Sequence, residues 1–106
     1  MANRFGGFGG GNMQAMMRQA QKMQQDAMRA KEELDSTVFE GVASGGLVKV
    51  EINGAYEMIS VKIDPSVIDP DDAEMLEDLI VVAYNAAKEK AEEMKNSKLG
   101  AFGGLI

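Results

Sequence analysis

The chain has no histidine and no cysteine, so a His-assisted nucleophile, a thiolate and a conventional zinc site are all excluded. It also lacks tryptophan and holds only two prolines, two tyrosines and four phenylalanines in 106 residues. The longest apolar run, Leu79 to Tyr84, is far short of the ~20 residues that cross a bilayer, so no membrane partner is expected. Arg4 is followed by FGGFGGGN instead of an apolar segment, so no secretory signal is expected. Cysteine-free composition fits a reducing compartment, and a cytoplasmic protein is the expectation.

What remains for catalysis is carboxylate, Lys, Ser and Tyr. The one candidate constellation is Asp69, Asp71, Asp72, Glu74, Glu77 and Asp78. It lacks the alternating ligands and central Gly of a calcium loop and lies where a helix begins. Capping and compensation of the helix dipole explain it better than chemistry does. No metal, cofactor, catalytic residue or small-molecule substrate is therefore expected.

Residues 1–11 are Gly-rich and too poor in side chains to pack a core, so a flexible leader is predicted. From Asn12, a plausible cap, to about Asp35 the chain has one helix pattern without Pro or Gly. Met13, Met16, Ala20, Met23, Ala27, Ala30 and Leu34 recur at alternating spacings of 3 and 4, which makes an apolar seam. Arg18, Lys22 and Arg29 fall on the opposite face among glutamines.

Strand patterns follow. Thr37 to Ala43 is β-prone although Gly41 interrupts it, and after Ser44-Gly45-Gly46 the residues Leu47, Val48, Val50 and Ile52 alternate with Lys49 and Glu51. Asn53-Gly54 is a strong signal for a two-residue type I′ hairpin, which would place Ile52 opposite Ala55, Val50 opposite Glu57 and Val48 opposite Ile59. In the return strand Tyr56 and Met58 have one parity, and Ile59, Val61 and Ile63 the other. Either a bulge lies near Met58 or both faces of the strand are partly covered.

Asp69-Pro70-Asp71-Asp72 reads as a helix start, with a helix from about Pro70 to Asn96. Leu76, Leu79, Ile80, Ala83, Ala87, Ala91 and Met94 would form its apolar face, and Lys88, Lys90, Lys95 and Lys98 gather near its end. The expected fold is thus α+β, a single αβββα domain over residues 12–98 with a Gly-rich apolar tail over residues 99–106.

Lengths imply an assembly. Helices of about 35 to 40 Å should overhang strands of about 23 Å. The apolar seams run into the overhang through Met13 and Met16 at one end and Ala91 and Met94 at the other. A homodimer is predicted, with Met13, Met16, Met23, Leu76, Ile80 and Met94 in its interface.

Charge is unevenly spread. The chain carries −6 overall, yet residues 1–31 hold five basic side chains and one acidic, a net +4, against −10 for residues 32–106. Arg18, Lys22 and Arg29 span roughly 16 Å along one helix face, enough to touch several phosphates.

Taken in order, MMRQAQKMQQDAMRAKEEL, FEGVASGGLVKVEINGAYEMISVKIDPSVI, LEDLIVVAYNAAKEKAEEM and the Gly-rich close resemble the YbaB/EbfC family of bacterial nucleoid-associated proteins. The resemblance covers nearly all of the chain after the leader. It implies a homodimer whose helices project like tweezers, nucleoid localisation, and DNA binding with low or modest sequence preference. The candidate DNA contacts are then Arg18, Lys22 and Arg29, with Lys95 and Lys98 near the end of the other helix. The competing expectation is a protein-interaction scaffold in which the Met/Ala seam captures a protein partner, with no direct DNA role.

Overall fold

The computed structural model describes the backbone of residues 2–100 and the side chains of residues 12–100. The flexible leader expected over residues 1–11 lies outside the side chains described, as does the expected apolar tail beyond residue 100. Helix α1 spans Ala2–Ser36, strands β1, β2 and β3 span Val38–Ala43, Val48–Asn53 and Met58–Ile63, and helix α2 spans Ala73–Leu99. The predicted αβββα order is the order observed. Because α1 is continuous through Asn12, that residue is interior to the helix and not the expected cap.

The sheet is antiparallel in the order β1-β2-β3. Alternation along the strands turns Phe39, Ala43, Val48, Val50 and Ile52 to one side, where all five are buried. Over that side lies α2, whose Ala83, Ala87 and Ala91 recur every four residues and are almost fully buried. Small residues here let the helix come down on the strand backbone. A Cβ on Gly41 would collide with the Ala83 carbonyl oxygen and the Ala87 amide nitrogen, so only glycine fits beneath the helix. Leu34, at the end of α1, and Val67 and Leu99 complete the core.

The β2–β3 connection differs from the hairpin expected. Val48 pairs with Ile63 and Val50 with Val61, not with Ile59 and Glu57. A register shift between Glu51 and Ile52 places Ile52 opposite Met58, so of the two readings of the parity change the bulge is the one observed. The turn itself is longer than two residues. Tyr56 N–H donates to the Asn53 carbonyl at 3.0 Å, and Asn53 Oδ1 accepts from the amides of Ala55 and Glu57 at 2.9 and 3.0 Å. The left-handed position falls on Tyr56, at φ 65°, and not on Gly54. Gly54 is required for space instead, since a Cβ there would strike the carbonyl of Leu34 at the end of α1. The Asn-Gly pair therefore marked the turn correctly but for a different reason.

Helix α2 begins three residues later than expected. Asp69 Oδ1 accepts from the Asp71 amide at 2.9 Å and the Asp69 carbonyl accepts from the Asp72 amide at 3.0 Å, which closes a separate turn around Pro70. The cap is Asp72, whose Oδ1 accepts from the Met75 amide at 3.3 Å. Asp72→Ala is expected to cost about 1 kcal/mol in urea denaturation while Asp71→Ala costs little; equal effects would show that Asp72 is not the cap.

The predicted overhang exists, though at one end only. Every residue of α1 from Asn12 to Gln25 is exposed, whereas Ala27 and Leu34 are buried against the body. Met13, Met16 and Met23 remain 63%, 66% and 44% exposed, so the upper half of the seam has no cover within the chain. At the other end the expectation is corrected. Ala91 is 1% exposed, part of the core beneath α2, and Met94 stays 38% exposed; the end of α2 lies beside the last turns of α1, where Lys98 Nζ is 3.5 Å from Glu33.

Candidate nucleic-acid interface

An α-helix turns 100° per residue, so residues 18, 22 and 29 of α1 fall within about 40° of one another and face away from the seam. Arg18, Lys22 and Arg29 accordingly make one exposed line along the helix, the first two on its free part and Arg29 at its root. Arg29 lies 4.0 Å from Asp26, its own carboxylate neighbour one turn back, with its side chain still 70% exposed. Such a pair is worth little in water and leaves the guanidinium accessible. Among the described residues, Arg18 and Lys22 form no ion pair.

The candidates on α2 sit differently. Lys98 is bridged to Glu33 of α1, and Lys95 is half-buried with its Nζ 5.3 Å from the centre of the Tyr56 ring. Lys88 approaches the same ring at 5.8 Å. Tyr84 Oη donates to the Tyr56 carbonyl at 3.2 Å and so anchors the β2–β3 turn to α2. The three arm cations and the lysines at the end of α2 thus occupy two zones, one exposed along α1 and one engaged at the root of the arm. Lys88 and Tyr56 were not among the sequence candidates. Their meeting depends on the left-handed Tyr56 and on a contact 32 residues apart in sequence, for which no local pattern exists.

The apolar candidates also separate. Met13, Met16 and Met23 lie on the free arm, and Met94 is 38% exposed, while Leu76 and Ile80 are half-buried against the core. Beyond them, Met58, Ile59 and Val61 of the edge strand β3 are 47%, 53% and 38% exposed. Helix α2 covers β1 and β2 and leaves β3 open.

Two members of the acidic cluster have structural roles. Asp69 closes a turn and Asp72 caps α2, and no group of His, Cys, Asp or Glu among the described residues is arranged to hold a metal ion.

A model of the YbaB/EbfC DNA-binding family matches residues 9–105. The chain belongs to that family. A YbaB/EbfC relative from Pelotomaculum thermopropionicum, named a nucleoid-associated protein, is 48% identical over 97 residues and 92% of each chain is covered. Another, from Streptomyces avermitilis and of the same name, is 51% identical over 94 residues, covering 87% of this chain and 83% of that one. The fold is also that of an uncharacterised Helicobacter pylori protein of known crystal structure. The two superpose with a TM-score of 0.67 at 25% identity, over 83% of this chain and 94% of the other. No described helix of this YbaB/EbfC member is long and apolar enough to cross a membrane.

Proposed function

We propose that the protein is a homodimeric, nucleoid-associated DNA-binding protein of the cytoplasm whose α1 arms touch the DNA backbone with little sequence preference. The observation that carries this reading is the free arm. Residues 12–25 stand clear of the body on all sides and, with Arg29 at their root, present Arg18, Lys22 and Arg29 in one line. Lys95 and Lys98 add positive charge where the arm meets α2. Contacts of this kind address phosphates and carry no base information, which is why little sequence preference is expected.

The arm also resolves the opposition between an acidic chain and a polyanionic ligand. Fourteen exposed helical residues extend about 21 Å, more than twice the ~8 Å Debye length at physiological salt. The −10 of residues 32–106 is therefore largely screened at the free stretch, where Arg18 and Lys22 carry +2 with no acid among residues 12–25.

Dimerisation would cover what one chain leaves open. Met13, Met16, Met23 and Met94 are exposed, Leu76 and Ile80 are half-covered, and β3 has an apolar open edge. A symmetric partner places the same apolar surface against itself and doubles the number of arms. The uncovered Met residues also favour a second reading, in which a protein partner lies on the arm. One experiment separates the two. Purified, nuclease-treated protein is expected to show twice the 11.4 kDa chain mass in light scattering and to shift unrelated duplexes equally, losing affinity steeply as salt is raised. A monomeric mass removes the dimer. A salt-insensitive shift, or none at low salt with a protein co-purifying, favours the scaffold.

A further inference from the structure

On the open side of the sheet the register sets Lys49 of β2 directly across from Lys62 of β3, and both are exposed. Like charges opposite one another on a sheet are unfavourable. Among the described residues neither lysine forms an ion pair that would offset the repulsion. Lysine on an edge strand such as β3 can serve to discourage pairing with another sheet. That accounts for Lys62. It does not account for Lys49, which lies on the central strand with a neighbour on each side.

The two lysines share a cleft of about 320 Å³ at the end of the sheet away from the arm, together with Gly46, Asp64 and Pro65. Gly46, which lines it, ends the turn Ser44-Gly45-Gly46, left-handed throughout at φ 53°, 69° and 98°. The Lys49 stem folds back against this turn, with Cε 3.7 Å from where a Gly46 Cβ would stand. Asp64 brings a negative charge to the lining, but its Oδ1 is held by the Ser66 amide at 2.9 Å. That hydrogen bond lowers the Asp64 pKa, so the carboxylate stays ionised and the lining carries +1. The volume is at the small end for a ligand site, suited to a single phosphate group and its substituent.

We propose that Lys49 and Lys62 form a second anion site that takes one phosphate group, independent of the arm. The group is either a free phosphomonoester or a backbone phosphate of nucleic acid, and both would neutralise the opposed ammoniums by charge-assisted hydrogen bonds. The test is a chemical-shift titration of ¹⁵N-labelled full chain with inorganic phosphate at low ionic strength. Saturable shifts are expected at the amides of Gly46, Lys49 and Lys62. Lys49→Ala with Lys62→Ala should weaken them by about tenfold or more, as the loss of a charge-assisted pair implies. Asp64→Asn keeps the acceptor for Ser66 and should tighten binding. Shifts that rise linearly without saturating, or that persist in the double variant, overturn the site. A DNA titration of the same variant names the source of the phosphate. A salt slope lower by about 1 per chain assigns a nucleic-acid phosphate, and an unchanged slope with saturable phosphate binding assigns a free ester. Loss of DNA binding on altering the arm would leave the phosphate titration untouched.

Discussion

Changing Arg18, Lys22 and Arg29 together to Ala is expected to flatten the salt dependence of DNA binding by about 2.7 in the slope of log K against log[salt] per arm, and by about 5.4 for two arms. The estimate follows from three phosphates per arm, each contributing about 0.9 through release of its counterion. A dimer making six such contacts should lose on the order of a thousandfold in affinity between about 50 and 200 mM salt, and the variant far less. Stability should hardly move. All three side chains are exposed, and only Arg29 has a partner, the marginal Asp26, so the variant should unfold within about 0.5 kcal/mol of the parent. Binding by anisotropy at a series of salt concentrations, with urea denaturation on the same samples, measures both. A variant that keeps the parental slope would mean that DNA, if bound, is held elsewhere. The natural comparison is Lys95→Ala with Lys98→Ala. Lys98 already has Glu33 and Lys95 already has the Tyr56 ring, so a smaller change in slope is expected there.

Gly41→Ala is expected to be, with Gly54→Ala, among the most damaging small substitutions in the described residues. The added methyl has nowhere to go, because the obstacles are backbone atoms of Ala83 and Ala87 and not the ends of flexible side chains. To admit it, α2 must lift from β1 along the line of Ala83, Ala87 and Ala91 and loosen Val50, to which Gly41 is paired. Overpacking of this kind typically costs 1–3 kcal/mol, and a backbone obstacle puts it at about 3 or above. For a domain of this size that corresponds to a fall in Tm of roughly 12–24 °C. Gly45→Ala is the control. Nothing stands within 4 Å of a Cβ there, and the cost is only the strain of φ 69° in a non-glycine residue, about 1 kcal/mol. Similar losses at both positions would show that the helix and strand are not in the close contact described.

How much of this was legible beforehand varied with the range of the interaction responsible. The α1 seam was legible because helical period is a local property, and Met13 to Leu34 repeats it without interruption. Its partial burial was not, since which half of a seam is covered depends on where α2 ends. Asn53-Gly54 located the turn, because few residues tolerate tight backbone there. The register escaped, because Tyr56 rather than Gly54 took the left-handed position once Gly54 was pressed against Leu34. The acidic run before α2 announced a helix start, but two aspartates competed to cap it. Asp69 was taken by its own turn, which left Asp72.

The site divides in the same way. By itself the sequence determined the order of elements, the length that forces α1 past the sheet, and the basic face of Arg18, Lys22 and Arg29. All three follow from local periodicity and from the rise per residue, which need no knowledge of distant neighbours. Tertiary structure alone decided that the arm is free while the end of α2 is not. It also decided that Lys98 meets Glu33, that two lysines share the Tyr56 ring, and that Lys49 stands across from Lys62. The physical reason is that these are encounters between segments distant along the chain, set by a one-residue bulge in β3 and by the depth to which α2 can sink over Gly41.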